Sequence, residues 1–275
     1  MKNLFLAVPM CLTPGLLTFA SSLRVALGFI AFSCLASAVY ALNDYCDREA
    51  DKLHPTKRNR PIAGGQIAPV TALSFSAALT AIGAPLGFWL GQDVGGLCVA
   101  YLLLNIAYSF RLKNEAILDV LIVASCYIIR VIAGSRIVGI EATPWLIIFT
   151  GLAALFIAFA KRRDDVSKAL TCNHRPSLAG YNQAFLDTAI AITLGALVAI
   201  YCVYAAATDT AERYETTKMF YTIPFVLAGA LRYLQATMVE EQSGEPTRFV
   251  VRDRFLIICG IGWLTTLFAV IHHWV

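Results

Sequence analysis

Long apolar runs separated by short polar segments recur along the entire chain. A run of about 20 apolar residues is long enough to cross the hydrocarbon core of a bilayer as a helix. We therefore predict nine helical segments, which cover residues 4–19, 23–43, 67–91, 94–109, 116–137, 143–160, 183–206, 219–239 and 255–274. The first segment is short and contains two prolines, so we expect it to be broken or only partly inserted.

The composition narrows the class of protein. Hydrophobic residues make up 58% of the 275 residues and charged residues only 15%, and the mean hydropathy is +0.67. Soluble domains are not built this way. No polar stretch is long enough to form a separate soluble domain. We therefore predict a single all-α domain over residues 1–275, a polytopic helical bundle in the membrane.

The basic residues predict how this bundle is oriented. With the polar loop after residue 43 in the cytoplasm, the basic stretches at 48–60, 161–175 and 232–254 also face inward. Only four basic residues then face outward, namely Arg24, Arg136, Arg213 and Lys218. This distribution follows the positive-inside rule and predicts a protein of the inner (cytoplasmic) membrane with a cytoplasm-facing site. The net charge of +4 reflects basic loops beside anionic lipid, and we expect no nucleic-acid partner.

The end of the second apolar segment carries a cluster of acids. On a helix, Asp47 lies about 60° and Asp51 about 20° from Asp44, so the three share one face, while Glu49 points elsewhere. Carboxylates at the edge of a membrane are costly and indicate function. Three like charges on one stripe repel unless a cation lies among them, and their oxygen ligands suit Mg²⁺. We predict that the three aspartates form a catalytic metal site.

Three cations follow the acids within a few residues. Lys57, Arg58 and Arg60 suit the oxygens of a phosphate group. Acids for a metal next to cations for phosphate indicate a site for a diphosphate. Asn43 immediately precedes the acids, and we expect it to orient a carboxylate or to donate to a phosphate oxygen.

A second polar group lies around the connection between the fourth and fifth segments. Tyr108 and Asp119 flank a short loop that contains Lys113. Arg130 follows Asp119 by about three helical turns, so the two share a face within an apolar stretch. An arginine at that depth needs an acid, a phosphate or water. We favour a polar cavity lined by Asp119 and Arg130 over a structural ion pair.

The sixth segment ends in Lys161, Arg162 and Arg163, followed by Asp164 and Asp165. The cations fit a topogenic cap at a cytoplasmic helix end, and they also fit a second phosphate-binding group. The two roles are compatible, and we favour a ligand role for at least one, Lys161 first. The two acids remain open between solvated surface residues and a second metal-binding pair.

These motifs resemble those of the UbiA superfamily of intramembrane prenyltransferases, and most closely its decaprenyl-phosphate phosphoribosyltransferase branch. The resemblance lies in NDxxDxxxDxxHPxKxxRPIA from Asn43 to Ala63 and in YSxxLKxxxxxD from Tyr108 to Asp119. It extends to KRR at 161–163, RYL at 232–234 and GEP…RDR at 244–254. These five motifs occur in order over nearly the whole chain. The resemblance implies a UbiA-like bundle of about nine spans around a central cytoplasm-facing cavity.

The resemblance also implies a reaction. Phosphoribose from 5-phosphoribosyl 1-diphosphate would pass to a polyprenyl phosphate, giving polyprenylphosphoryl-5-phosphoribose, a precursor of lipid-linked pentose donors in cell-wall synthesis, and diphosphate. Asp44, Asp47 and Asp51 would hold Mg²⁺ on the leaving diphosphate. Tyr108 and Asp119 would position the ribose. The phosphate-binding residues would be Asn43, Lys57, Arg58, Arg60, Lys113, Arg130, Lys161, Arg162 and Arg163.

Two other functions remain as alternatives. A UbiA-type prenyltransferase would move a polyprenyl group from its diphosphate to an aromatic acceptor, and Asp164 and Asp165 favour it because such enzymes use a second acidic motif there. The many cations favour phosphoribosyl transfer instead. A transporter would place ionisable groups through the full bilayer depth, whereas here they concentrate near one face, so we rank it last. The sequence leaves open whether the chain forms a homo-oligomer.

Overall fold

A computed structural model describes residues 2–13, 15–52, 57–167, 176–240, 249–272 and 274, without the side chains of Lys57 and Arg213. Every regular element within these ranges is helical, as predicted. The α-helices are α1 (Val8–Leu12), α2 (Phe19–Lys52), α3 (Pro69–Leu90), α4 (Gln92–Phe110), α5 (Leu118–Ile137), α6 (Pro144–Ser167), α7 (Gln183–Ala206), α8 (Thr208–Tyr214), α9 (Ile223–Met238) and α10 (Arg254–Ile271). Short 3-10 turns lie at Lys2–Leu6, Lys57–Asn59, Leu112–Asn114, Pro176–Gly180 and Lys218–Thr222.

Seven of the helices in the described part of the chain are long and apolar enough to cross a membrane, namely α2 to α7 and α10. The predicted first segment is broken into a 3-10 turn and the five-residue α1, with Pro9 near the start of α1. The segment predicted at 219–239 forms α9, which has 16 residues. The number of nine spans is therefore not confirmed.

Two helices extend beyond the predicted apolar segments. Helix α2 has 34 residues, about 51 Å, and continues through the acid cluster to Lys52. A basic residue in the last turn is favourable at the negative end of the helix dipole. The apolar run predicted for α6 ends at residue 160, whereas the helix continues to Ser167, because lysine and arginine are good helix formers and Arg162 and Arg163 have ion-pair partners. The acids at the end of α2 and the cations at the end of α6 are thus helical residues.

The chain divides into two compact units, each with its own packing. The first contains residues 1–151 and 171–180, and successive helices α2, α3, α4 and α5 pack against one another. Its apolar core includes Phe32 and Leu35 of α2, Cys98 of α4 and Ile137 of α5. Gly83 of α3 permits close approach, since a Cβ there would lie 2.9 Å from the carbonyl oxygen of Ala31. Small residues at such crossings are typical of membrane helices.

The second unit contains residues 152–170 and 181–275, and in it α9 packs against both α7 and α10. A hydrogen-bonded chain joins these elements. The indole of Trp263 donates to Tyr201 Oη at 2.6 Å, and the Tyr201 hydroxyl lies 2.7 Å from that of Thr222. Buried polar groups that satisfy one another fix the register of the helices that carry them.

Candidate active site

The acid-bearing end of α2 is closed by a cation from the following segment. Arg60 Nη1 donates to Asp44 Oδ1 and to Asp51 Oδ2, each at 2.8 Å. The Asp51 side chain is only 6% exposed, whereas that of Asp44 is 30% exposed. Asp44 and Asp51 are almost two helical turns apart, so one guanidinium can bridge both carboxylates. The predicted shared face of these two acids is therefore confirmed by their common partner.

The third aspartate has a different cationic partner. Lys113, in the 3-10 turn between α4 and α5, forms an ion pair with Asp47, and its Nζ also donates to Asn43 Oδ1 at 3.3 Å. Asn43 Nδ2 in turn donates to Asp47 Oδ2 at 3.0 Å. Asn43 therefore contacts one of the three predicted metal-binding acids, and its role in the site stays a prediction. These bonds join the α4–α5 connection to the acid face of α2, which is the helix face that carries Asp44, Asp47 and Asp51.

The donor chemistry of the acid face suits a divalent cation. Two carboxylate oxygens converge on one nitrogen of Arg60, and carboxylate oxygens are the ligands that Mg²⁺ prefers. Among the described residues, however, no group of three or more His, Cys, Asp and Glu side chains is arranged to hold a metal ion. In this arrangement Arg60 and Lys113 balance the charge of the acids. The three-aspartate metal site therefore stays a prediction.

Glu49 and Arg58, two other charged residues of this segment, are exposed. The Glu49 side chain is 67% exposed and pairs with Lys52 and with Arg48 on the same helix. Arg58 is also exposed. The side chain of Lys57 lies outside the described residues, as do His54 and the GEP run. Glu49 thus offers a carboxylate on the same helix that the proposed chemistry does not use.

Asp119 is fully buried in the first turn of α5. The hydroxyl of Ser177 donates to Asp119 Oδ2 at 3.1 Å. Ile117, just before the helix, has a φ of 69°, which a β-branched residue rarely adopts. Such a strained residue at a short connection marks a backbone that its surroundings hold in place. Tyr108, on the other side of this connection, packs against the apolar core of the first unit.

Arg130 is buried, but its partners differ from those predicted. Its Nε donates to Asn3 Oδ1 at 2.8 Å, its Nη1 to the carbonyl of Cys126 at 2.7 Å, and its Nη2 to Tyr101 Oη at 2.9 Å. The guanidinium also lies 4.7 Å from the ring centroid of Tyr101. The alternative ion pair with Asp119 is not among these contacts, and the polar cavity lined by Asp119 and Arg130 stays a prediction. Arg130 instead holds the N-terminal turn against α4 and α5.

Two of the three cations at the end of α6, Arg162 and Arg163, are buried within the second unit. Arg163 is 1% exposed and pairs through Nε with Asp187 of α7, and Arg162 Nη1 donates to Asp165 Oδ2 at 3.2 Å. Asp164 is buried, whereas Lys161 is exposed. Since Arg162 and Arg163 have carboxylate partners on their own unit, Lys161 is the most accessible of the three. Phosphate binding by these residues stays a prediction.

The RYL and RDR motifs meet in one ion-pair network. Arg232 of α9 donates through Nη2 to Asp253 Oδ2 at 2.8 Å, and it also pairs with Glu240. Asp253 accepts a further hydrogen bond, at 2.9 Å, from the backbone N–H of Leu256 and so caps α10. The hydrogen bond from Arg232, together with this backbone bond, lowers the pKa of Asp253 below its ordinary value.

Sequence reasoning missed three partners that define these sites. They are Asn3, Ser177 and Asp187, each separated from its partner by at least 24 positions. Spacing along one helix reveals neighbours three or four residues apart, not partners on other elements. The buried arginines did give a signal, because a buried guanidinium requires acceptors somewhere in the fold.

Comparison with known proteins decides the family. The sequence model of the UbiA prenyltransferase family matches residues 4–258. The chain belongs to the UbiA prenyltransferase family. The family that the motifs predicted is therefore confirmed, and with it a transferase built into the membrane by its apolar helices.

Relatives from two mycobacteria carry the same name. The chain is 32% identical over 259 residues to decaprenyl-phosphate phosphoribosyltransferase from Mycolicibacterium smegmatis, covering 90% of this chain and 80% of the relative. It is also 32% identical over 252 residues to the Mycobacterium tuberculosis protein of that name, covering 90% and 82% of the two chains. The branch that the motifs resemble is thus the branch of these relatives.

A solved structure confirms the fold. A UbiA homolog from Archaeoglobus fulgidus, bound to GPP and Mg²⁺, superimposes with a TM-score of 0.65 at 18% sequence identity. The match covers 99% of this chain and 100% of the homolog. The predicted UbiA-like helical architecture is therefore confirmed, while the orientation of its cavity stays a prediction.

Proposed function

We propose that this UbiA-family protein transfers 5-phosphoribose from 5-phosphoribosyl 1-diphosphate to a polyprenyl phosphate, with Mg²⁺ as cofactor and diphosphate as the second product. The main support is the 32% identity, over 90% of the chain, to a relative named decaprenyl-phosphate phosphoribosyltransferase. The motifs Asn43–Ala63 and Tyr108–Asp119, which carry the resemblance, also carry the acids and cations of the candidate site.

The side chains on the acid face supply the binding and charge balance that the reaction needs. Asp44 and Asp51 carry two carboxylates that one cation bridges in this structure, and with Asp47 they would hold Mg²⁺. A bound Mg²⁺ supplies charge neutralisation to a departing diphosphate. Arg60 and Lys113 lie on these same acids and would bind phosphate oxygens.

The reacting partners need alignment more than proton transfer. The acceptor phosphate is already an anion, so no strong general base is required, and C1 of the ribose gains oxocarbenium character as in glycosyl transfer. Asp119, buried and held by Ser177, would position the ribose hydroxyls together with Tyr108. Arg58, Lys57 and Lys161 complete the proposed set of phosphate-binding cations. The chain's contribution is orientation and electrostatic stabilisation.

The proposal includes a location. The protein lies in the inner membrane with the acid face on the cytoplasmic side, where phosphorylated sugars are available. The distribution of basic residues supports this orientation. The acceptor lipid reaches the site from the bilayer.

A transfer assay with matched variants tests the proposed function. Purified protein receives labelled 5-phosphoribosyl 1-diphosphate, polyprenyl phosphate and Mg²⁺, and labelled lipid is extracted and counted. We expect Asp44→Asn to lower kcat by about a hundredfold or more, because one ligand of the charge-neutralising cation is lost. EDTA should abolish transfer in the wild type.

Glu49→Gln is the matched control, because it removes an exposed carboxylate from the same helix. We expect it to keep wild-type activity. Equal activity of the wild type and Asp44→Asn would contradict the role of the acid face. Transfer that continues unchanged in EDTA would contradict the metal requirement.

A further inference from the structure

A groove in the second unit is not used by the proposed chemistry. It has a volume of about 910 Å³, within the range of small-molecule sites, and its walls come from α9 and from the residues around the start of α10. Apolar lining is provided by Leu231, Phe249 and Phe255, and cationic lining by Arg232, Arg252 and Arg254. The groove therefore combines a hydrocarbon-compatible surface with positive charge.

The three arginines differ in their partners. Arg232 is held by Asp253 and Glu240, and it also donates to Gln235 at 3.1 Å. Arg252 and Arg254 are exposed, and within the described part of the chain their guanidinium groups have neither an acidic nor a hydrogen-bonding partner. The acids that the structure describes in this region, Asp253 and Glu240, both pair with Arg232, so two guanidinium charges remain available to a ligand. A phosphate monoester, which carries nearly two negative charges at neutral pH, matches them.

The surroundings of the groove indicate that its ligand is a lipid. Leu231 is 58% and Phe255 50% exposed, and Ile258 is exposed on the next turn of α10. These residues lie on helices of a membrane protein, so an apolar surface there faces hydrocarbon. The arginines lie just before and at the first residue of a membrane-spanning helix, the depth at which lipid headgroups lie.

We propose that this groove binds a long-chain lipid phosphate monoester, with its phosphate on Arg252 and Arg254 and its hydrocarbon chain along Leu231 and Phe255. The inference rests on the proposed function, because it names the groove as the place where the acceptor lipid binds before transfer. The basic residues predict that the loop before α10 lies on the cytoplasmic side, as does the loop of the acid cluster. Arg232, fixed by its acids, shapes the groove without binding the phosphate.

Photoaffinity labelling tests this inference without requiring turnover. The full chain in detergent is irradiated with a diazirine analogue of farnesyl phosphate, and labelled peptides are mapped by mass spectrometry. We expect labelling within residues 249–260 that excess farnesyl phosphate blocks and excess farnesol does not. The double variant Arg252→Gln/Arg254→Gln should lose at least about tenfold of this labelling, since two charge-assisted contacts are removed.

Lys218→Gln is the matched control, because it removes an exposed cation away from the groove, and it should label as the wild type does. Size-exclusion chromatography checks that the double variant is folded. If it is not, Arg252→Gln and Arg254→Gln are tested singly, and each should lower labelling.

Undiminished labelling in the variants would overturn the inference. Equal blocking by phosphatidylglycerol would assign the groove to phospholipid headgroups, and equal blocking by inorganic phosphate to a free anion, so either would also overturn it.

The labelling experiment on the groove and the transfer assay can succeed or fail independently of each other. Arginine-dependent labelling without any phosphoribosyl transfer would support the groove as a lipid-phosphate site and contradict the transfer reaction. Transfer activity with the same acceptor KM in the wild type and the double variant would contradict the groove and leave the reaction supported.

Discussion

Arg60 is the residue on which the charge balance of the acid face depends. Its guanidinium bridges Asp44 and Asp51, and the Asp51 carboxylate is almost completely buried. Removing only the cation leaves a buried carboxylate without its partner. Removing one partner of a buried pair costs more than removing both.

We therefore expect Arg60→Gln to destabilise the protein by about 1–3 kcal/mol and to lower its apparent Tm. Asp51→Asn/Arg60→Gln should recover part of this loss, because the uncompensated buried charge is gone. Differential scanning fluorimetry in detergent measures both. Arg58→Gln, an exposed neighbour, is the control. If the loss of stability in the double variant equals the sum of the losses in Arg60→Gln and Asp51→Asn, the two residues do not interact and the prediction is wrong.

Asp253 gives the second unit a defined pH response. The hydrogen bond from Arg232 lowers its pKa in the folded protein below the ordinary value of 3.8. A carboxyl group with a lowered folded pKa stabilises the fold above its unfolded pKa, and this contribution disappears as the pH falls through the folded pKa. The effect therefore belongs to the acidic range below about pH 4.

Asp253→Asn should make the apparent Tm fall less between pH 6 and pH 3 than in the wild type. Asparagine keeps the cap on α10 but cannot titrate, so the variant isolates the charge. Thermal melts across this pH range measure the difference. Asp209→Asn, at an exposed position of α8, should behave like the wild type. The same pH dependence in Asp253→Asn and the wild type would contradict the ion pair's contribution.

At the scale of elements, the N-terminal turn is held in place by α5. A Cβ on Gly134 would overlap the carbonyl oxygen of Leu6, so the turn packs directly on the helix backbone. One helical turn away, Arg130 Nε donates a hydrogen bond to Asn3 Oδ1. Close backbone packing and a buried hydrogen bond therefore act together on the same turn.

Gly134→Ala should push this turn away and break the Asn3–Arg130 bond. We expect faster hydrogen exchange over residues 2–12, and the same direction of change in Asn3→Ala. Gly195→Ala is the control, because a Cβ there meets nothing within 4 Å and alanine favours the helix. Wild-type protection of residues 2–12 in Gly134→Ala would contradict this packing.

Helix positions were predictable because apolar length and periodicity are local properties. The residue spacing placed Asp44 and Asp51 on one face, and they share a partner. The pairing of Arg163 with Asp187 and of Arg130 with Asn3 could not be predicted, since it depends on which helices become neighbours. The last turns of α6 could not be predicted from apolar length, because they consist mainly of charged residues, of which the lysine and the arginines favour a helix.

For the whole molecule, the family and the apolar helices establish a membrane transferase. Among the described residues, seven helices are long and apolar enough to cross a bilayer, and the UbiA fold extends over nearly the whole chain. Most residues of the candidate active site are charged and lie near helix ends, whereas the exposed surfaces of the helices are rich in large apolar side chains. This arrangement suits an enzyme whose substrates are one water-soluble diphosphate and one lipid.

The choice of donor is the central claim, and a competition measurement tests it most directly. The purified protein is given Mg²⁺, 5-phosphoribosyl 1-diphosphate and polyprenyl phosphate together with a polyprenyl diphosphate and an aromatic acid, and products are identified by mass spectrometry. We predict a polyprenyl phosphate heavier by one phosphoribosyl group, and release of diphosphate. A prenylated aromatic acid, with no phosphoribosylated lipid, would contradict the account.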